Sequence, residues 1–139
     1  MADAQGIAAV FTPSFRLLTF LPLLHTPQEN RRFIENVILR TCEVTVAEDD
    51  GGIVSFLARK DEEIRLLYTH PARIGRGAGS LLIDAAKSTG VDALELWCFQ
   101  ANHGARHFYE ACGFRAIRFT DGADNEEKTP DVFYRWQRT

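Results

Sequence analysis

Closely spaced cysteine pairs, a basic leader and a long apolar run are all missing from this chain of 139 residues. Its three cysteines, Cys42, Cys98 and Cys112, are odd in number, and none stands at the spacing of a zinc clip or a redox pair. A reducing compartment, the cytoplasm, is the reading this pattern supports. The first fifteen residues contain no Lys or Arg, so the basic start of a signal peptide is lacking. The longest apolar stretch, Leu17 to Leu24, is broken by Thr19 and Pro22 and is far too short to span a bilayer. Positive charge is not in excess either: 16 basic and 19 acidic side chains leave a net charge of -3. Non-specific nucleic-acid binding, which needs a basic face to displace counterions, is therefore not expected.

What is present is ordinary globular material, 45% hydrophobic and 25% charged. The length suits one domain over residues 1–139. Residues 5–11 and 28–40 read as helices. In the second, Phe33, Val37 and Ile38 recur at helical spacing, and Thr26-Pro27 supplies an N-cap and a first-turn proline. The period then changes. Residues 43–47 and 53–59 read as a hairpin around Asp49-Asp50-Gly51-Gly52, and residues 64–69 as a third strand. Residues 77–89 read as a helix with Leu81, Leu82, Ala85 and Ala86 on one face. A strand over 94–99, a helix over 103–112, and strands over 114–119 and 132–136 complete the chain. This order gives an α+β fold: a mixed, mostly antiparallel sheet with one βαβ crossover and helices on both faces.

Most of the information lies in the turn from Thr69 to Leu82, which carries Gly75, Gly77 and Gly79 between a strand and an amphipathic helix. Glycines let backbone N–H groups approach a phosphate, and a new helix offers unpaired N–H groups and a positive dipole end. Arg73 and Arg76 stand close by. The turn is not a Walker loop, because no Gly-Lys-Ser/Thr follows, and it lacks the third glycine of the dinucleotide fingerprint. By itself it suits either an anion cradle or tight packing. Downstream, Asn102 is a natural N-cap, Ala105, Phe108 and Cys112 share a helical face, and Gly113-Phe114 closes the helix and opens a strand.

Together these two elements resemble the GNAT superfamily of acetyl-CoA-dependent N-acetyltransferases, over roughly residues 43–119. His70-Pro71 followed by Gly75-Arg76-Gly77-Ala78-Gly79 is similar to the family's acetyl-CoA motif, and Asn102, Ala105, Phe108-Tyr109 and Gly113-Phe114 to its second motif. Ile74 stands where the family has Gln or Arg, and Thr69 where it has Val. The family's usual first strand has no counterpart before residue 5, so the sheet lacks it or takes it from residues read as loop.

The resemblance implies that the strands at 64–69 and 94–99 splay apart around the pantetheine arm. It assigns Tyr68 and Thr69 to backbone contact with that arm, and Ile74, Gly75, Arg76, Gly77, Ala78, Gly79 and Asn102 to acetyl-CoA binding, with no metal. It implies direct attack by a primary amine of a small acceptor. Tyr109 holds the place of the acid that protonates the leaving thiolate, and a phenol of pKa ~10 nearly matches a thiol of pKa ~8.5–10. Glu63 holds the place of a base, although a solvated turn charge is the simpler reading of it. The acceptor site would come from residues 12–27 and the loop 120–130. There Asp121, Asp124, Glu126 and Glu127 suit a cationic acceptor, or merely solvate a hairpin. Other readings are a domain that binds acyl-CoA without turnover, and a protein-interaction module that binds no coenzyme A. An exposed sheet edge also predicts a homodimer.

Overall fold

The computed structural model describes residues 4–16 and 25–139, together with the side chains there except those of Phe15 and Arg16. The apolar stretch Leu17–Leu24, half of the early acceptor segment 12–27, lies outside the described residues.

Helix α1 (Ala4–Arg16) comes first and contains Pro13. Helix α2 (Pro27–Phe33) starts in a capping box: Thr26 accepts from the Glu29 amide and the Glu29 carboxylate accepts from the Thr26 amide. A π turn (Ile34–Ile38) and a short helix α3 (Leu39–Thr41) continue it. The π turn changes the expected stripe. Ile34 and Ile38 are the buried pair, while Phe33 and Val37 are each 39% exposed. A wider turn rotates the helix face, and periodicity at 3.6 residues does not anticipate that.

Six strands follow: β1 (Glu43–Asp49), β2 (Gly52–Lys60), β3 (Glu63–Thr69), β4 (Ala93–Phe99), β5 (Arg115–Thr120) and β6 (Asp131–Gln137). Helix α4 (Ala78–Lys87) joins β3 to β4, and α5 (His103–Ala111) joins β4 to β5. The sheet order is β1-β2-β3-β4-β6-β5, antiparallel throughout except for β3 beside β4. Among the described residues no strand precedes β1. Nor is any helix long and apolar enough to cross a membrane.

Strand alternation divides the core in two. On one face Leu57, Ile64, Leu94, Leu96 and Tyr134 pack with Leu82, Ile83 and Ala86 of α4, and α5 lies against the same cluster. On the other face Phe56 and Ala58 pack with Ile7, Val10 and Phe11 of α1 and with Ile34 and Ile38. Helices thus cover both faces, and each fully buried Ile or Leu contributes roughly 1.5–3 kcal/mol. The stripe of α4 centres on Leu82, Ile83 and Ala86. Leu81, expected on the packed face, is 67% exposed, and Ala85 is exposed as well.

Candidate active site

The one parallel contact of the sheet positions the site. Strands β3 and β4 pair only at Glu63 and Glu95, where the Glu95 amide donates to the Glu62 carbonyl at 2.8 Å. Beyond that point they separate and leave a groove of about 770 Å³. One wall runs from Ile64 to Thr69, the other from Leu96 to Phe99, and Asn102, Phe108 and Tyr109 of the α5 region close its side. The open end meets residues Arg73 to Ser80, where the glycine turn enters α4.

The three glycines of that turn do different work. Gly75 and Gly77 have φ of +84° and +88°, with nothing within 4 Å of a hypothetical Cβ, so they serve backbone shape. Gly79 lets α4 approach α5, since its Cβ would stand 3.1 Å from the Phe108 ring. Gly77 caps α4 in the left-handed conformation, and the first intrahelical bond runs from the Leu81 amide to the Gly77 carbonyl. The amides of Ala78, Gly79 and Ser80 therefore begin the helix without partners inside it. Arg73 is tied to Asp49 at 3.1 Å. Arg76 is exposed and, among the described residues, pairs with no carboxylate. Ile74 is extended and 58% exposed. His70 is a turn residue whose Nδ1 accepts from the Ala72 amide at 3.1 Å.

Ladder geometry decides which peptide groups face the groove. The His70 amide donates to the Val54 carbonyl of the strand beside it. By antiparallel alternation Tyr68 and Leu66 also turn their peptides toward β2, and Leu67 and Thr69 turn theirs toward the groove. Tyr68 thus lends the groove its ring, packed on Phe11 and Phe56, while its carbonyl accepts from the Ser55 hydroxyl at 2.8 Å. The Thr69 carbonyl lies 2.8 Å from the Ser14 hydroxyl of α1, which also lies 2.6 Å from the Val10 carbonyl. Sequence reasoning missed Leu67 and Ser14. The period-two rule, counted from the strand end, is the signal that would have found Leu67.

Tyr109 is in the groove wall, with its ring against Phe108, Phe114 and Tyr134. Burial pushes its hydroxyl pKa far above the ordinary phenol value. Asn102 caps α5, its side chain accepting from the Ala105 amide at 3.2 Å. Glu63 stands at the narrow end, outside the groove lining, with Arg65 bound to its carboxylate at 2.8 Å. Cys98 lines the groove, and burial pushes its thiol up to about 12.

A second cavity, of about 420 Å³, shares Trp97, Cys98 and Phe99 with the groove. Strand register builds its floor. Trp97 and Arg118 both pair with Phe133, and Phe99 and Thr120 both pair with Asp131. The loop 121–130, which from sequence could merely solvate a hairpin, is a built structure that lends Asp124, Asn125 and Glu127 to the lining. Asn125 donates to the Thr129 carbonyl at 2.7 Å and to Asp131 at 3.2 Å. Asp131 also accepts from Thr120. Gly122 is obligatory, because a Cβ there would stand 2.1 Å from the Thr129 carbonyl oxygen. Among the described residues no three His, Cys, Asp or Glu side chains gather as metal ligands would.

Residues 40–116, more than half of the chain, match the family model of the acetyltransferase (GNAT) domain. No curated protein matches the sequence. Among solved structures the fold is similar to a GCN5-related N-acetyltransferase from Rhodopseudomonas palustris, at 23% identity over 97% of this chain and 89% of that one, with a TM-score of 0.77. It is similar to a GNAT-family acetyltransferase from Bacillus cereus at 15% identity over 99% and 92%, TM-score 0.75. A Bacillus anthracis acetyltransferase solved in complex with acetyl coenzyme A shares 20% identity over 71% and 64%, TM-score 0.63. With glycine turn, splayed strands and family match in agreement, the chain belongs to the GNAT acetyltransferase domain family.

Proposed function

We propose that this protein transfers an acetyl group from acetyl-CoA to a primary amine of a small acceptor by direct attack. The observation that carries the reading is the separation of β3 and β4 beyond a single residue pair, with the resulting groove ending on the N-terminus of α4. In this reading the amides of residues 74–79 and Arg76 hold the pyrophosphate. The peptide groups of Leu67 and Thr69 take the pantetheine arm, and Tyr68 and Asn102 shape its walls. Each charge-assisted bond to phosphate contributes about 1.5–3 kcal/mol.

Direct attack is favoured over a thioester on the enzyme. Cys98 is the cysteine of the groove, and a thiol held near pKa 12 is almost wholly protonated at neutral pH. Tyr109, kept neutral by burial, would donate a hydrogen bond to the sulfur as negative charge develops on it. A proton leaving the amine would reach Glu63 only through water, because the carboxylate lies outside the lining and is bound to Arg65. The same two facts favour, as a second reading, a domain that binds acyl-CoA and turns it over slowly. The cavity beside the groove would receive the acceptor, which we take to be a small molecule because its volume suits one.

Calorimetric titration with acetyl-CoA tests the donor site, with dephospho-coenzyme A as control. Micromolar binding is expected for the native chain and none for Gly77→Glu, which sets a carboxylate where phosphate belongs. Unchanged affinity in that variant would remove the cradle from the reading. Release of coenzyme A with a panel of amines then separates an enzyme from a binder.

A further inference from the structure

The charge in the cavity under the loop 121–130 limits what the acceptor can be, provided that acetyl transfer is the reaction. Five carboxylates stand on or beside that loop, and the first, Asp121, accepts from the Ala123 amide at 3.0 Å. Asp131 accepts from Thr120 and Asn125 within the fold. Glu126 is bound by His25 at 2.6 Å. Asp124 and Glu127 both line the cavity, and among the described residues their carboxylates have neither an ion-pair nor a hydrogen-bond partner. The neighbouring Lys128 forms no ion pair with them, and its ammonium donates to the Ala123 carbonyl at 2.7 Å. Arg118 is the cation of the lining, and its guanidinium stacks 5.3 Å from the Trp97 ring centre. The floor near Trp97 already holds a positive charge, then, and the loop end holds free negative charge. The charge of Glu127 also helps raise the Tyr68 hydroxyl, second to burial, which sets that carboxylate within electrostatic reach of the groove.

The chemistry demands the opposite of a cation at the reacting nitrogen. An amine attacks a thioester only when neutral. A nitrogen–carbonyl bond forms, the carbon–sulfur bond breaks, and the proton shed by nitrogen ends on sulfur. The product amide is uncharged. An acceptor with a single amine therefore gives Asp124 and Glu127 nothing to hold during the reaction.

We infer that the acceptor carries a second cationic centre, an ammonium or guanidinium, which stays charged against Asp124 and Glu127 while the reacting amine passes Trp97 and Phe99 into the groove. A corollary concerns release. The acetylated product keeps that second charge, so it remains a ligand of the cavity and competes with fresh acceptor.

The test uses the full chain with acetyl-CoA. Linear α,ω-diamines of three to eight carbons are compared with n-alkylamines of equal length, by calorimetric affinity and by coenzyme A release. Diamines are expected to bind at least tenfold tighter than their monoamine partners, and the advantage should shrink at 1 M salt. Asp124→Asn with Glu127→Gln should bring the two series together, with circular dichroism reporting a retained fold. The mono-acetylated diamine should inhibit competitively against the diamine. Equal affinity for the two series, or a diamine advantage that survives the double substitution, overturns the inference and leaves acetyl transfer standing. A preference for amines bearing a carboxylate, lost in Arg118→Gln, overturns it in favour of Arg118 as the determinant. Failure to bind acetyl-CoA would instead bring down the donor reading, and the inference with it.

Discussion

Tyr109 shows how a residue's type can be plain while its state is not. The second motif marks a tyrosine for the leaving sulfur, but only its surroundings set its pKa. Packing among Phe108, Phe114 and Tyr134 strips water from the phenol and raises its pKa. In the proposed reading its part is that of a standing hydrogen-bond donor. Tyr109→Phe should lower turnover by about 10-fold to 10²-fold, the lower end of general-acid effects, with acetyl-CoA affinity kept. Stopped-flow or steady-state release of coenzyme A measures the first and calorimetry the second. Unchanged turnover would make the residue a packing element. Gly75, Gly77 and Gly79 divide in the same manner. Sequence marks three glycines, and only the structure separates backbone shape at the first two from close approach to Phe108 at the third.

At the scale of elements, what could be read in advance was whatever local chemistry writes. Thr26-Pro27 with Glu29 announces a helix start, and Gly113, with φ of +94°, a helix end. Strand and helix positions followed from such signals. The π turn at Ile34–Ile38, the exposure of Leu81 and the direction of the Tyr68 peptide did not, because each depends on a neighbouring element. The cavity under the loop 121–130 was the least legible feature. Trp97 is distant in the chain from Arg118 and Glu127, and it meets them because β6 lies between β4 and β5. The loop 121–130 offers an element-scale test. Gly122→Ala places a methyl group against the Thr129 carbonyl and should distort the loop while sparing the groove. Amine KM should rise about tenfold or more with acetyl-CoA affinity unchanged. Loss of both would mean that the loop also supports the donor site.

For the whole molecule, pH and association offer two further tests. Cys98, Tyr68 and Tyr109 all have pKa values raised chiefly by burial. Each is buried in its protonated form, so the unfolded chain releases its proton first as pH rises. The stabilisation is complete below the unfolded values, near 9 for the cysteine and 10 for the tyrosines, and is lost above them. The Cys98 share fades between pH 9 and about 12, with a slope of about 1.4 kcal/mol per pH unit for each proton. Denaturant melts at pH 8 to 10.5 should show that decline, and Cys98→Ala should flatten its first part. The sheet order leaves β1 and β5 at the edges among the described residues, with Ile117 and Phe119 of β5 more than half exposed. We expect pairing of two copies, and light scattering should return twice the 15.7 kDa of one chain. A single-chain mass would dispose of it.

The end of β4, one backbone thick, borders both groove and cavity through Trp97, Cys98 and Phe99. In the proposed reading donor and acceptor thus share one partition. By reciprocity, whatever factor a bound donor applies to acceptor affinity, the acceptor applies to the donor. On that reading, a change in any one of these three side chains is expected to register in both constants at once, which would couple donor and acceptor specificity along that strand.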